Sequence, residues 1–388
     1  MGKYFLPIFI RVGFMLKNRF DIENVILIVL SLVIFIYSFD SGGYKLSTIF
    51  AVSALIALLC GMLIIFKKEV RLPGRLVMVP FALFIFYAMI SLSWTESLDL
   101  SVKELLYLLT LFSSLVVTMN LSHEKRVRLL EYMSYGVVVI LLVGFYYYLL
   151  PNFGLMGRTH DMMNFYIGTF FWKNPAASYL SIFIPYFLLR FLTAERKRDY
   201  YIYYVISILM ITAFLLTRSR GGFITFSVAL ILTSIVIISH IKKNRLDSKY
   251  FNIVSFKQIM MALSIVFVSV FIFVLLLPPK VNRVRSEIKN SVVDNQEPQE
   301  RSATERLMML KMGMKIIRDN PEGVGFGAFI IVYPQYLTNS MYLSKHLHNQ
   351  YLQYLVEGGI IGGLLFIVLI LSIVMGLFLS DRKSTRLN

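Results

Sequence analysis

An all-α integral membrane protein of about ten transmembrane helices, with one long extramembrane loop that contains an amphipathic helix, follows from three observations. The chain is 57% hydrophobic and 16% charged, with a mean hydropathy of +0.70, a balance outside the range of ordinary soluble domains. Apolar runs suited to crossing roughly 30 Å of hydrocarbon recur at about 25–39, 46–66, 76–93, 104–120, 129–150, 175–193, 200–217, 222–239, 256–277 and 350–379. These runs are continuous rather than alternating over about ten residues, which selects helices over barrel strands.

The N-terminal stretch MGKYFLPIFIRVGFMLKNRF is basic and apolar, and no small-residue cleavage site follows it. It reads as an amphipathic lead-in at the membrane interface rather than a removed signal. The single cysteine, Cys60, falls inside the second run, so neither a disulfide framework nor a Cys-based metal site is expected. SLSWTESLDLS (91–101) joins the third and fourth runs, with Trp94 at the level where aromatic side chains anchor. PNFGLMGRTHDMMNFYIGTFFWKNPAAS (151–178) is a longer connection, and its Pro175 suits the first turn of the sixth span. TRSRGG (217–222) is a tight turn between spans seven and eight.

Pro278 and Pro279 stop span nine and open a long loop, 278–348. That loop passes through a polar SVVDNQEPQERS and then forms a helix over about 303–318, with Leu307, Leu310, Met314 and Ile317 on one apolar stripe expected to be buried. Asn320-Pro321 ends it. The resulting division is a membrane bundle over 1–277, the loop 278–348, a final span 349–380 and a tail 381–388. The tail SDRKSTRLN breaks off without a recognisable ending and reads as truncated.

The net charge of +17 invites a nucleic-acid reading, and its distribution removes it. With the N-terminus placed inside, the short inner segments carry 23 of the 39 Lys and Arg residues and the short outer loops carry six. The long loop holds the other ten, and loops of that length do not vote under the positive-inside rule. The charge is therefore a topology signal with attraction to anionic lipid. Both termini are expected on the cytoplasmic side and the loop 278–348 outside it.

Candidate functional residues gather on the outer side. Arg218 and Arg220 lie there against the charge bias, in a turn too short to carry them far from the bilayer. Two readings stand: both snorkel to lipid phosphates, or they form a guanidinium fork for a phosphate or pyrophosphate, with Gly221 and Gly222 allowing close approach. His348 heads the last span, followed by Asn349, Gln353 and Glu357 at intervals of four, a polar stripe that must face protein or a wet cavity. A capping or packing histidine remains the plainer reading of His348 alone. Gly358, Gly359, Gly362 and Gly363 read first as close helix packing. Arg306 opens the loop helix, where a solvated charge is the ordinary role. GVGFGAF (323–329) looks like a phosphate-binding glycine run but lacks the strand and crossover unit a nucleotide fold requires. No HExxH occurs, and Glu96, Asp99, Asp161, Glu305, Asp319 and Glu322 form no metal constellation, so neither metal nor cofactor is expected.

Taken together, SRGG at the head of a span, ERLMMLKMGMKIIRDNPEGVGFGAF in the loop and HNQYLQYLVEGGIIGGLLF at the last span resemble the O-antigen ligase/polymerase superfamily of bacterial membrane glycosyltransferases. WKNPAASYL and SLSWTESLDLS resemble its earlier outer-face signatures. The resemblance covers roughly 90–366. It implies an undecaprenyl-diphosphate-linked glycan donor, a sugar hydroxyl acceptor and an active site on the extracytoplasmic face of the cytoplasmic (inner) membrane. By the same resemblance Arg220 and Arg306, with Arg218 beside them, would hold the diphosphate, His348 would act as base, and the three elements would serve one site. Asn349, Gln353 and Glu357 would support it. Two departures stand out: Met309 and its neighbours replace the usual Trp, and one span follows the loop where relatives have more. Ligase and polymerase are not separated by these motifs. The competing classes are a transporter or flippase of lipid-linked glycan, and a non-catalytic receptor or assembly subunit.

The charge split predicts that loop 241–255 is cytoplasmic and the loop 278–348 external. Cysteines introduced at Ser248 and Ser302 should therefore differ on intact cells, with an impermeant thiol reagent labelling only the second. Labelling at Ser248 alone would invert the topology.

Overall fold

The computed structural model describes residues 21–40, 46–67, 69–150, 165–227, 256–276, 298–337, 346–347 and 349–384. The N-terminal lead-in, the inner loop 241–255, the polar stretch at 278–297 and most of span eight lie outside the described residues, as does His348. The described residues are mostly helical and include no strand. The long helices are α1 (Ile22–Phe39), α2 (Leu46–Phe66), α3 (Arg75–Ile90), α4 (Leu98–Met119), α5 (His123–Leu149), α6 (Lys173–Leu192), α7 (Lys197–Thr217), α8 (Phe256–Leu276), α9 (Pro298–Asp319) and α11 (Gln350–Ser384), with a short α10 (Phe329–Val332) between the last two. Eight of them, α1 to α7 and α11, are long and apolar enough to cross a membrane, and α8 contributes a shorter apolar stretch, Leu263–Leu276. Span eight is seen only as a helical run over 220–227.

Two compact units organise these helices. One draws on described residues within Met1–Leu27, Ala51–Arg126 and Val293–Asn388, the other on those within Ile28–Phe50 and Val127–Val292. In the second unit α6 and α7 pack around Phe183, Phe187, Met210 and Phe214, and α8 joins through Ile265, Ile208 and Phe191. The hydroxyl of Ser269 donates to the Ile208 carbonyl (3.2 Å) and to its own helix at Ile265, so it needs no water.

In the first unit, one end is tied by polar contacts among segments the charge pattern assigns to one side. Lys67 donates to Glu23 (2.9 Å) and to the Asn120 carbonyl (2.5 Å). The Asn120 side chain exchanges two hydrogen bonds with the Arg71 backbone, both 2.8 Å. Lys125 pairs with Asp21. The starts of α1 and α5 and the ends of α2 and α4 therefore share one level, as a strict up-and-down order requires.

The other end of that unit is built on a broken helix. Within α11, Gly359 has φ 66 and ψ −168, so the helix is interrupted there. From Ile360 to Ser380 at about 1.5 Å per residue, α11 spans one hydrocarbon thickness unaided. The candidate span as a whole, Gln350–Gly376, contains this break. The break frees carbonyls, and the loop after α9 takes them: the Val324 N–H donates to the Val356 carbonyl (3.1 Å) and the Gly325 N–H to that of Glu357 (2.9 Å). Tyr87 on α3 donates its hydroxyl to the Gly358 carbonyl (2.8 Å), and the Ile360 N–H returns to the Pro321 carbonyl (3.1 Å). The glycines expected to serve helix packing thus include one whose role is a kink out of helical geometry, while Gly358 and Gly362 do receive Phe326 and Tyr87 at close range.

The loop's own glycines explain the GVGFGAF run. Gly323, Gly325 and Gly327 all have positive φ, and a Cβ on them would strike Gly359, Thr95 and Glu104 respectively. Their backbone turns drive Phe326, 1% exposed, into a cage of Phe84, Tyr87 and Tyr354. Close packing accounts for these glycines.

The break predicts an asymmetry among glycine substitutions. Gly359→Ala forces a side chain into a backbone region that costs about 1–3 kcal/mol, and its Cβ would lie 2.3 Å from the Glu322 carbonyl carbon. Gly61→Ala meets nothing within 4 Å. In detergent, Gly359→Ala should lower the apparent Tm by several degrees while Gly61→Ala leaves it unchanged or raises it; equal melting would remove the structural importance of the break.

Candidate functional site

The site residues read from the sequence fall into two groups, one in each unit. In the second unit α7 ends at Thr217, and Arg218 follows in the left-handed region (φ 48, ψ 32), the one non-glycine residue with positive φ among the described residues. A helix stop of this kind ordinarily uses glycine. Ser219 fixes the turn: its hydroxyl donates to the Asn174 side-chain oxygen (2.8 Å) and accepts the Gly222 N–H (3.1 Å). Gly222 seats against Ala177, where a Cβ would lie at 2.6 Å, so it serves packing with α6 rather than ligand access; Gly221 faces open space.

The turn gives the two arginines different environments. Arg220 is exposed at the start of the run 220–227. Arg218 is partly buried, and its Nε and Nη2 are buried with no hydrogen-bond partner. Its guanidinium carbon lies 5.7 Å from the centre of the Phe165 ring, and the ammonium of Lys173, at the head of α6, sits 3.9 Å from the same ring. Aromatic faces attract cations. Two like charges on one ring also repel, and buried guanidinium nitrogens without acceptors are costly. Among the described residues no carboxylate pairs with either group. A multivalent anion meets every one of these requirements at once.

Lys173 and Phe165 were missed in reading the sequence. The signal for Lys173 was present, since it is one of the six basic residues on the cation-poor side, the criterion that singled out Arg218 and Arg220. Phe165 gave no signal among 32 phenylalanines.

The other group lies in the first unit. Gln353 and Glu357 are 6% and 5% exposed on the pre-break segment of α11, as the polar stripe required. The Gln353 amide donates to the Glu357 carboxylate (2.5 Å), and its oxygen accepts the Leu347 N–H (2.8 Å). The Gln353 amide thus gives the buried Glu357 carboxylate a polar partner. Glu104, a half-buried carboxylate on α4 that sequence reading passed over as the first residue of a span, acts electrostatically on it. The chain immediately before His348 is thus clamped by Gln353, which is held in turn by Glu357. Asn349 departs from the expected stripe: it is exposed, and its side-chain oxygen caps α11 by accepting the N–H groups of Tyr351 (3.1 Å) and Leu352 (3.2 Å).

Arg306 lies on α9, but its side chain, like His348, falls outside the described atoms. The apolar stripe of α9 is a correction. Met312 and Ile316 are buried, Gly313 packs on Leu352, and Met309 is partly buried. Leu307, Leu310 and Met314 are exposed instead. The buried face sits on α11 because the small Gly313 permits close approach there, which a count of large apolar residues does not reveal. Among the described residues, no group of three or more His, Cys, Asp or Glu is placed to hold a metal ion.

Residues 205–367 match the family model described as O-antigen ligase. The matched stretch contains Arg218, Arg220, Arg306, His348, Asn349, Gln353 and Glu357. No curated protein and no solved structure matches the chain.

The clamp makes a measurable prediction. Gln353→Leu removes the acceptor of the Leu347 N–H and one donor to Glu357, interactions of about 1 kcal/mol each. Amide exchange in a peptide covering 346–353 should speed up by roughly three- to tenfold, while peptides from α6 and α7 stay unchanged. Unaltered exchange at Leu347 would show that the clamp does not order this segment.

Proposed function

We propose, from the match of residues 205–367 to the family model described as O-antigen ligase, that this multi-pass membrane protein is an extracytoplasmic glycosyltransferase of the cytoplasmic membrane. It transfers or polymerises undecaprenyl-diphosphate-linked glycan onto a sugar hydroxyl, with inversion and without a metal ion. The family match supports ligase- or polymerase-type function with lipid-linked glycan and acceptor substrates. The finer reading rests on one observation above all: buried, unpartnered guanidinium nitrogens of Arg218 beside Lys173, an arrangement that calls for a multivalent anion.

The chemistry follows from the compartment. Nucleotide sugars do not reach the outer side of this membrane, so a transferase there takes its sugar from a lipid diphosphate. The acceptor hydroxyl oxygen attacks the anomeric carbon from the face opposite the diphosphate. The carbon–oxygen bond to the diphosphate breaks, and the electron pair leaves with the lipid carrier. The hydroxyl proton passes to the imidazole of His348, whose ordinary pKa of about 6.5 suits a base near neutral pH. In this reading Arg218, Arg220 and Arg306 hold the diphosphate and stabilise the charge that develops on it, with Lys173 as a further anchor. Gln353 and Glu357 order the chain that leads into His348, and Asn349 starts its helix.

The transporter reading has a broken helix in its favour, since such proteins coordinate ions with carbonyls freed at a break. Here the carbonyls of Val356, Glu357 and Gly358 already accept from Val324, Gly325 and Tyr87. The break supports a folded loop rather than an ion site.

Purified protein given a lipid-diphosphate glycan and an acceptor should transfer glycan, and should continue to do so with chelator present. Arg220→Ala or Arg306→Ala should lower turnover by about 10²–10³-fold, and Lys at either position should recover only part. His348→Ala should cost about 10²–10⁴-fold with donor binding retained. Wild-type turnover in a folded His348→Ala protein, or activity that chelator abolishes and Mg²⁺ restores, would overturn this mechanism.

A further inference from the structure

The helix α9 has an uncovered face, and its composition is unlike that of the lipid-facing spans. Leu307, Leu310 and Met314 are 51%, 44% and 56% exposed, spaced three and four apart so that they lie side by side. Lys311, Lys315 and Arg318 are exposed along one flank of that stripe, at the same helical intervals. The opposite face, through Met312, Gly313 and Ile316, is fully occupied by the protein. Too polar to count among the spanning helices, α9 nonetheless presents apolar side chains outward.

Its level relative to the membrane follows from the broken helix. The loop that ends α9 docks at Gly359, beyond which α11 is about one bilayer long. Tyr87, which caps the break, packs on Trp94 with ring centres 6.0 Å apart, and aromatic residues of this kind mark the interface. At the far end of the same helix pair, Gly376 meets Val77, which fixes the direction of the bilayer between the two contacts. The C-terminal end of α9 is therefore held at the bilayer edge.

We propose that the uncovered face of α9 lies in the plane of an anionic lipid surface. Leu307, Leu310 and Met314 enter the boundary between headgroups and acyl chains, and Lys311, Lys315 and Arg318 reach lipid phosphates. The flanking charges select this occupant, because long basic side chains beside a narrow apolar stripe serve both layers of a membrane interface. A second copy of the chain is disfavoured, since three side chains supply far less than the roughly 1,000 Å² that a stable protein interface buries. The inference is independent of the glycosyltransferase reading.

The test uses the full-length protein with Cys60→Ser, reconstituted in vesicles with Leu310→Cys or Asp319→Cys carrying an environment-sensitive fluorophore. Asp319 is exposed on the same helix, beyond the basic flank. Lipids spin-labelled near the top of the acyl chain should quench the label at 310 more than that at 319. The difference should grow with phosphatidylglycerol content, and Lys311→Gln/Lys315→Gln/Arg318→Gln should abolish that growth. Equal quenching at the two positions overturns the proposal, as does quenching indifferent to phosphatidylglycerol and to the three substitutions. Disulfide-linked dimers formed under oxidant by the unlabelled Leu310→Cys protein, with no quenching of the labelled one, would overturn it in favour of a second copy.

Discussion

A helix interrupted at the edge of a membrane must find donors for the carbonyls it frees, because hydrocarbon supplies none. Much of the first unit is arranged around that constraint. The interruption at Gly359 is answered by the Val324 and Gly325 amides and by the Tyr87 hydroxyl. These donors belong to a loop and to α3, so the break binds three parts of the chain to one point. The loop can approach only because Gly323 lacks a Cβ, and it stays because Phe326 is gripped by aromatic rings. The Glu96 amide and the Ser101 hydroxyl fasten the same loop to the connection before α4 and to α4 itself (3.1 and 2.6 Å).

The second unit stores strain of another kind. Arg218 occupies a backbone conformation that favours glycine, and its side chain leaves buried nitrogens unsatisfied. Both features cost stability, and a glycine at this position would remove both. Strain of this kind collects at ligand-binding turns, which agrees with the diphosphate-binding role proposed for Arg218. The Ser219–Asn174 contact and the seating of Gly222 against Ala177 keep that turn from relaxing. The surrounding packing thus holds the arginine in a conformation it would not choose alone.

The sequence carried most of the helical architecture, because apolar length and the bias of basic residues are properties of composition along the chain. It marked Arg218 through that bias, and Gln353 and Glu357 through their spacing on an otherwise apolar helix. What it did not carry is the direction in which faces point. Leu307, Leu310 and Met314 form a good apolar stripe, yet the partner helix chose the side bearing Gly313, since closeness of approach depends on a missing side chain. Asn349 shared the spacing of Gln353 and Glu357 but capped the helix instead, because the first residue of a helix is not yet subject to its periodicity. Gly359 could be read as packing or as a break, and only the backbone geometry decides. Lys173 was available to the same charge argument as its neighbours; its approach to the ring of Phe165, eight residues earlier in the same connection, was not.

The capping arrangement also sets an order of events during biosynthesis. The loop 321–328 leaves the ribosome before the helix it caps, and its partners on α3 and α4 are made long before either. Until Val356 to Gly358 have emerged and Ile360 onward has entered the bilayer, the Val324 and Gly325 amides have no acceptors in the fold and Phe326 has an incomplete cage. The clamp on Leu347 waits on the same step, since Gln353 belongs to that last helix. Insertion of α11 is thus the event that completes these contacts, and a chain stalled before it would hold every earlier helix and lack the ordered segment that leads into His348.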